Sequence, residues 1–172
     1  MEQPEVEFPP DVKVGPGFDD ALRQMVDRPF LASQKWQEQQ WRANREGVHP
    51  WLIDFEKVFV RRMSKLGVPV FCQEAVRTDE QQAKEIAEGD SKVRLSPHQR
   101  GCAVHLIHST KGWNLTKKQW ALFGHVGKEI ASARGLDLEW GGDWKSFYDP
   151  AHWQVKQWRM VAAGYPFPRF GG

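Results

Sequence analysis

The chain has 172 residues, a length that suits one domain able to bury a sizeable core. Hydrophobic residues make up 40% and charged residues 27%, with 24 Lys and Arg against 22 Asp and Glu for a net charge of +2. No apolar run approaches the ~20 residues of a membrane span. No basic block marks a nucleic-acid binder, so neither membrane insertion nor nucleic-acid binding is expected. Two cysteines, Cys72 and Cys102, are too few for a metal-binding cysteine cluster, and a disulfide framework is not expected in a reducing cytosol.

In chain order, 1–17 reads as a flexible arm, broken by Pro4, Pro9, Pro10 and Pro16 and without periodicity. Its first ten residues are acidic and proline-rich rather than basic and then apolar, so synthesis in a cytosol without a signal peptide is expected. A helical extension follows over 18–50. One short helix is expected over 19–28, stopped at Pro29, and another over 32–45, with a break at His49 and Pro50. From 51 to 66 an amphipathic helix is predicted. Leu52, Phe55, Phe59 and Met63 recur at three- and four-residue steps, Lys57, Arg61 and Arg62 lie opposite, and Gly67 closes it.

The segment 68–76 is strand-like. Thr78, with Gln81 three positions on, forms a capping box for a helix ending near Gly89. A loop over 90–101 precedes a strand over 102–107. Leu115 and Thr116 open a long helix that ends at Gly135. Short strands over 136–139 and 151–155 flank a turn at Gly141 and Gly142, expected to use positive φ, and 166–172 is an irregular tail. Helices first and strands interleaved with helices later give an α+β class. Nine Trp are unusual. Trp113, Trp120, Trp140, Trp144, Trp153 and Trp158 fall late in the chain and are expected to be mostly core, with the walls of a cleft as the other use.

Three segments can carry chemistry. His98 lies in the loop after Ser96, His105 on the following strand and His152 far downstream, three residues after Asp149. Three imidazoles from separate elements can converge on one Zn²⁺ and leave a position for water. Zinc lowers the pKa of that water to about 7, so a nearby carboxylate can serve as general base. Spacing alone does not select these histidines over His49, His108 and His125. Strand alternation turns His108 and Cys102 to the face opposite His105, which makes them core candidates. A Cys72–Cys102 bridge would require their strands to pair. Glu139 and Asp143 are solvent-facing or supporting residues.

Ser96, His98, Gly101, Ala103 and Val104, then Trp140-Gly141-Gly142-Asp143-Trp144, then Asp149-Pro150 with His152-Trp153, resemble the zinc peptidases that cut peptidoglycan stem peptides. These are the L-alanyl-D-glutamate endopeptidases of phage endolysins and the related D-alanyl-D-alanine carboxypeptidases. The likeness covers 68–155 in the family's order.

The resemblance implies a small antiparallel sheet flanked by helices, of the Hedgehog and D-Ala-D-Ala-peptidase type, as a zinc peptidase domain over 51–165. It implies His98, His105 and His152 as zinc ligands and Asp149 as the catalytic acid and base. Arg77 would grip a substrate carboxylate or polarise the carbonyl under attack, with Gln82 nearby and Ser91 and Ser96 lining the site. The implied partner is bacterial peptidoglycan, with a pore protein or a virion to bring the enzyme to the wall. One departure stands out. The family's second ligand is normally Asp, and here it is His105. Imidazole binds zinc at a similar distance, and three-His catalytic sites exist. An active enzyme is therefore expected, the alternative being a decayed peptidase fold that serves as a structural or wall-binding module.

Overall fold

The computed structural model describes residues 17–93 and 95–162, so the arm, Gly17 apart, and the tail read from the sequence lie outside the described residues. Three short helices come first: α1 (Asp19–Met25), α2 (Arg28–Leu31) and α3 (Gln34–Gln40). Pro29 does not stop a helix. The first helix has already ended at Met25, and Pro29 sits in the first turn of α2, where its missing N–H costs nothing. Asp27 caps that turn by accepting from the Phe30 N–H (3.1 Å). Ser33 caps α3 through the Trp36 N–H (3.2 Å), so the segment expected over 32–45 is shorter than its composition suggested.

Helix α4 (Pro50–Lys65) follows. His49, read as a breaker, is its N-cap: Nδ1 accepts from the Trp51 N–H at 3.0 Å. The remaining elements are β1 (Val70–Glu74), α5 (Asp79–Ala87), β2 (Ala103–His108), α6 (Lys117–Arg134), β3 (Leu138–Trp140), β4 (His152–Val155) and α7 (Trp158–Ala162), which the sequence reading left out. Single 3-10 turns occupy Pro97–Arg100 and Gly141–Asp143. The expected capping box of Thr78 with Gln81 forms, a second one joins Thr116 to Gln119 at the start of α6, and Gly135 ends α6 in the left-handed conformation.

Among the described residues the strands form one antiparallel sheet in the order β1-β2-β4-β3. Side chains alternate across it. Val104 and Trp153, which are register partners, face the helical layer of α4 and α6. There Phe55 lies 4.8 Å from Trp153 and Phe59 lies 5.5 Å from Phe123, measured between ring centres. Trp140 and Trp153 stack at 5.9 Å and 23°. They reach this position because α6 presents Gly124 and Gly127 to them. A Cβ at 127 would fall 2.3 Å from Cη2 of Trp153, and one at 124 would fall 2.4 Å from the Trp140 ring.

Gly127→Ala is therefore expected to destabilise the fold. Helix propensity would gain up to about 1 kcal/mol, while overpacking a full core costs ~1–3 kcal/mol. A melting temperature lowered by several degrees in a thermal scan is the expected reading; an unchanged or higher one would contradict the close approach of the indole.

The other face of the sheet carries a polar stripe. In register across it lie Glu74 on β1, His105 on β2 and His152 on β4. Two residues further along β4, Gln154 pairs with Glu139 on β3. A bulge between Cys72 and Glu74 sets the register that brings Glu74 opposite His105. The tryptophans divide between core and cleft: Trp120, Trp140, Trp153 and Trp158 are buried, Trp113 is half exposed, and Trp144 borders the polar stripe. Both cysteines are buried free thiols, and Cys72 pairs with Leu106 rather than with Cys102.

Candidate metal centre

His105 and His152 are direct cross-strand partners, so their side chains project side by side from one face. His98 comes down onto them from the 3-10 turn Pro97–Arg100. Three local devices hold that turn. The Ser96 hydroxyl accepts from the His98 N–H (3.2 Å), the Arg77 N–H donates to the His98 carbonyl (3.0 Å), and Gly101 closes the turn at φ 68° against the Gly47 carbonyl. A Cβ at 101 would sit 2.2 Å from that oxygen, so both the conformation and the space require glycine.

The three rings converge. Nε2 of His98 lies 3.2 Å from Nε2 of His105, which lies 3.2 Å from Nδ1 of His152, and all three ligand atoms fall within 4.8 Å of one another. Four-coordinate zinc with Zn–N bonds of about 2.0–2.1 Å has tetrahedral edges of about 3.3 Å. The two short separations match that edge. Nδ1 of His98 is 2.8 Å from the Ala75 carbonyl, which can only accept, so Nδ1 carries the proton and Nε2 offers its lone pair to the centre. Nε2 of His152 is engaged by Oε1 of Gln154 at 2.8 Å.

Burial, helped by the charges of His105 and His152, drives the His98 imidazole well below its usual pKa. Burial chiefly, and then His105, takes His152 down to about 4. Both rings are thus neutral near pH 7, as ligands must be. The donor set and its geometry fit a zinc ion.

Asp149 stands at the edge of the cluster, with Oδ2 3.4 Å from Nε2 of His105 and 3.7 Å from Nδ1 of His152. Burial pulls its carboxyl up. The hydrogen bond from His105 and the positive charges of His105, His152 and Arg77 outweigh that, leaving it below the ordinary carboxylate value. Gly141 places it. The Asp149 N–H donates to the Gly141 carbonyl (3.1 Å), and a Cβ at 141 would fall 2.2 Å from the Asp149 carbonyl oxygen. Gly141 and Gly142 have no positive φ; the expected left-handed turn is corrected, and close backbone approach is what calls for glycine at 141.

Arg77 is buried and held on two sides. Its Nε (3.0 Å) and one terminal nitrogen donate to Oε1 of Glu74, and the other terminal nitrogen donates to Oε1 of Gln82 (2.6 Å). Gln82 itself donates to the Ser91 hydroxyl (2.9 Å) and the Val93 carbonyl (2.6 Å). Gln82 thus lies behind Arg77, fastening it to the 91–93 loop, and is not among the residues that line the cavity, unlike Ser91 and Ser96. Two cavities, of about 320 and 450 Å³, meet over His105 and Asp149 and share Arg77, Glu85, Asp90 and Phe147. Both cavities therefore reach the edge of the cluster at His105 and Asp149. Phe147, the one non-glycine among the described residues with positive φ (56°), stands in it.

His108 is turned away. Its Nε2 donates to the Met25 carbonyl (2.8 Å) and its Nδ1 accepts from the Lys111 N–H, which ties α1 to the end of β2. Asp143 pairs with Lys128 at the surface. The sequence reading missed Glu74 and Gln154; a polar residue two positions from a proposed ligand on the same strand was the available signal for Gln154.

The comparisons with known proteins agree with this geometry. Residues 89–155 match the family described as D-alanyl-D-alanine carboxypeptidase. The matched stretch holds His98, His105, Asp149 and His152. It is 37% identical over 107 residues to the L-alanyl-D-glutamate peptidase of Listeria phage A118, a stretch covering 61% of this chain and 35% of that relative, so it spans about a third of the relative's length. The crystal structure of the Serratia marcescens L-Ala D-Glu endopeptidase ChiX is similar over 76% of this chain and 90% of that one, with a TM-score of 0.54 and 27% identity. The peptidase fold, a small antiparallel sheet with flanking helices, is the one expected from the sequence.

In the metal-stripped protein, stability should depend on pH through His152. Its folded pKa of about 4 lies below the unfolded value near 6.5. The unfolded chain therefore binds more protons between those values, and stability is lost as pH falls from 6.5 towards 4. The loss approaches about 3 kcal/mol for a shift of this size. Chemical denaturation at pH 7 and at pH 4.5 reads it; equal midpoints would show that the ring is not held neutral.

Proposed function

We propose that this chain is a zinc-dependent peptidase that hydrolyses the L-alanyl-D-glutamate bond of peptidoglycan stem peptides. The observation that carries this reading is the meeting of three imidazoles, at zinc-like spacing, beside the Asp149 carboxylate. The relatives from Listeria phage A118 and Serratia marcescens, both named for this bond, support the substrate. Two adjoining cavities that share His105 and Asp149 leave room for a chain to extend past this edge of the cluster, which supports an endopeptidase in particular.

In this reading His98, His105 and His152 hold the ion, which when bound supplies Lewis-acid polarisation of a carbonyl and acidifies water. Asp149 takes a proton from the attacking water and returns it to the leaving amine. Its lowered pKa keeps it ionised and ready to accept at neutral pH. Arg77 offers a fixed positive charge to the cleft, for the oxyanion or for a stem-peptide carboxylate. Its links to Glu74 and Gln82 hold it in place, so little reorganisation is needed when charge develops. Ser91 and Ser96 line the approach. Imidazole ligands bring no negative charge, so Asp149 supplies the negative charge nearest the ion, a role that an Asp ligand would otherwise share.

The peptidase domain is assigned to 51–165 and the helices of 18–50 to its support. The likeness to a phage relative favours a lysis or virion-carried role, with synthesis in the host cytosol and a pore protein or virion delivering the enzyme to the wall. Digestion of purified sacculi followed by mass spectrometry of the muropeptides tests the reading. New L-Ala and D-Glu termini, abolished by chelation and restored by zinc, are expected. Stoichiometric zinc without any cleavage would instead favour the decayed, wall-binding module.

A further inference from the structure

We infer that Glu139 sets the direction of a hydrogen-bond chain that makes Nδ1, rather than Nε2, the metal-binding atom of His152, and that Glu139 and Gln154 are the positioning residues of the centre. The inference deepens the metal reading proposed above. It starts from a polarity argument. Ionised Glu139 can only accept. It accepts at Oε1 from the Trp144 indole N–H (3.0 Å) and at Oε2 from Nε2 of Gln154 (3.0 Å). The Gln154 amide is thereby oriented with its NH₂ towards β3 and its carbonyl oxygen towards His152. That oxygen, 2.8 Å from Nε2 of His152, can only accept, so Nε2 must carry the proton. The lone pair is left on Nδ1, the atom 3.2 Å from Nε2 of His105.

Without an acceptor-only group at 139 the amide can turn over, and both tautomers of His152 become available. The geometry is built for this single sense. Glu139 and Gln154 are register partners on β3 and β4, Gln154 follows His152 on the same strand face, and Gln154 is buried. The Trp144 ring lies 5.0 Å from the His152 ring, beside the chain it donates to. Outer partners of metal-binding histidines commonly contribute a 10–100-fold effect on affinity.

The test uses the full chain, with zinc alone titrated against a chelator, and long-range ¹H–¹⁵N spectra of the imidazoles in the metal-free protein. The parent should show His152 protonated at Nε2. Glu139→Gln, whose oxygen still accepts from Trp144, turns an NH₂ towards Gln154 and should shift His152 towards the Nδ1-protonated tautomer, weakening zinc binding by about 10–100-fold. The exchanged pair E139Q/Q154E restores the polarity: the residue-154 carboxylate accepts from His152 and from the residue-139 amide, whose oxygen accepts from Trp144. It should recover most of the lost affinity, which a merely structural role for Glu139 would not predict.

An Nδ1-protonated His152 in the parent overturns the inference. So does Glu139→Gln with unchanged zinc affinity, or a double variant no better than the single. A parent that binds no zinc but shows the Nε2–H tautomer would instead sink the metal reading and leave the hydrogen-bond chain standing.

Discussion

Asp149→Asn should bind zinc nearly as well as the parent and release almost no peptide. The substitution keeps the size of the side chain and the backbone bond to Gly141. It removes the ability to accept a proton at the oxygen 3.4 Å from His105. General acid–base catalysis contributes typically 10²–10⁴-fold, and the turnover lost should fall in about that range. Zinc affinity should fall only modestly, through loss of a neighbouring negative charge. Elemental analysis alongside muropeptide release separates the two quantities. Cleavage within tenfold of the parent would remove Asp149 from the reaction, and loss of zinc in step with activity would make it a ligand instead.

His152→Ala should lose both metal and activity. The ring is buried, contributes one of the three ligand atoms, and accounts for one of the two short edges of the triangle. Two remaining imidazoles on adjacent elements make a far weaker site, so affinity should drop by more than the about 10–100-fold that removal of an outer partner costs. The metal-free variant should still fold, because the core face of the sheet is formed by Val104, Trp153 and their helical partners and not by this ring. Unchanged zinc stoichiometry in a folded variant would reject His152 as a ligand and with it the three-histidine centre.

The parts of this molecule that local chemistry dictates were legible in its sequence. The Thr78–Gln81 box, the start of α6 at Thr116, the stop at Gly135 and the apolar stripe of α4 each depend on residues within a few positions of one another. His98, His105, His152 and Asp149 were found through their resemblance to a family, and the sheet does bring them together. What escaped depends on pairing between strands. Glu74 reaches Arg77 and lies across from His105 because of a bulge, and Gln154 meets Glu139 because of the β3–β4 register; no motif announces either. The first helices were misjudged because Pro29 and His49 are ambiguous letters. Each can end a helix or begin one, and capping by Asp27 and by the His49 ring itself decided the outcome. Gly141 was assigned to the right turn for the wrong reason, since its need for space arises from Asp149, eight residues on.

The pairing of His105 directly with His152 has a consequence for how this chain can change over evolutionary time. A single residue gained or lost within β2 or β4 would rotate one imidazole through the sheet to the helical side and send an apolar neighbour out in exchange. Length variation should therefore be purged from these two short strands. It should be tolerated in the exposed stretches around Gly89 and Gly112, where nothing lies within 4 Å of an added side chain. Natural variants, or a library of one-residue deletions scored for zinc retention, should show that boundary falling at the ends of the strands.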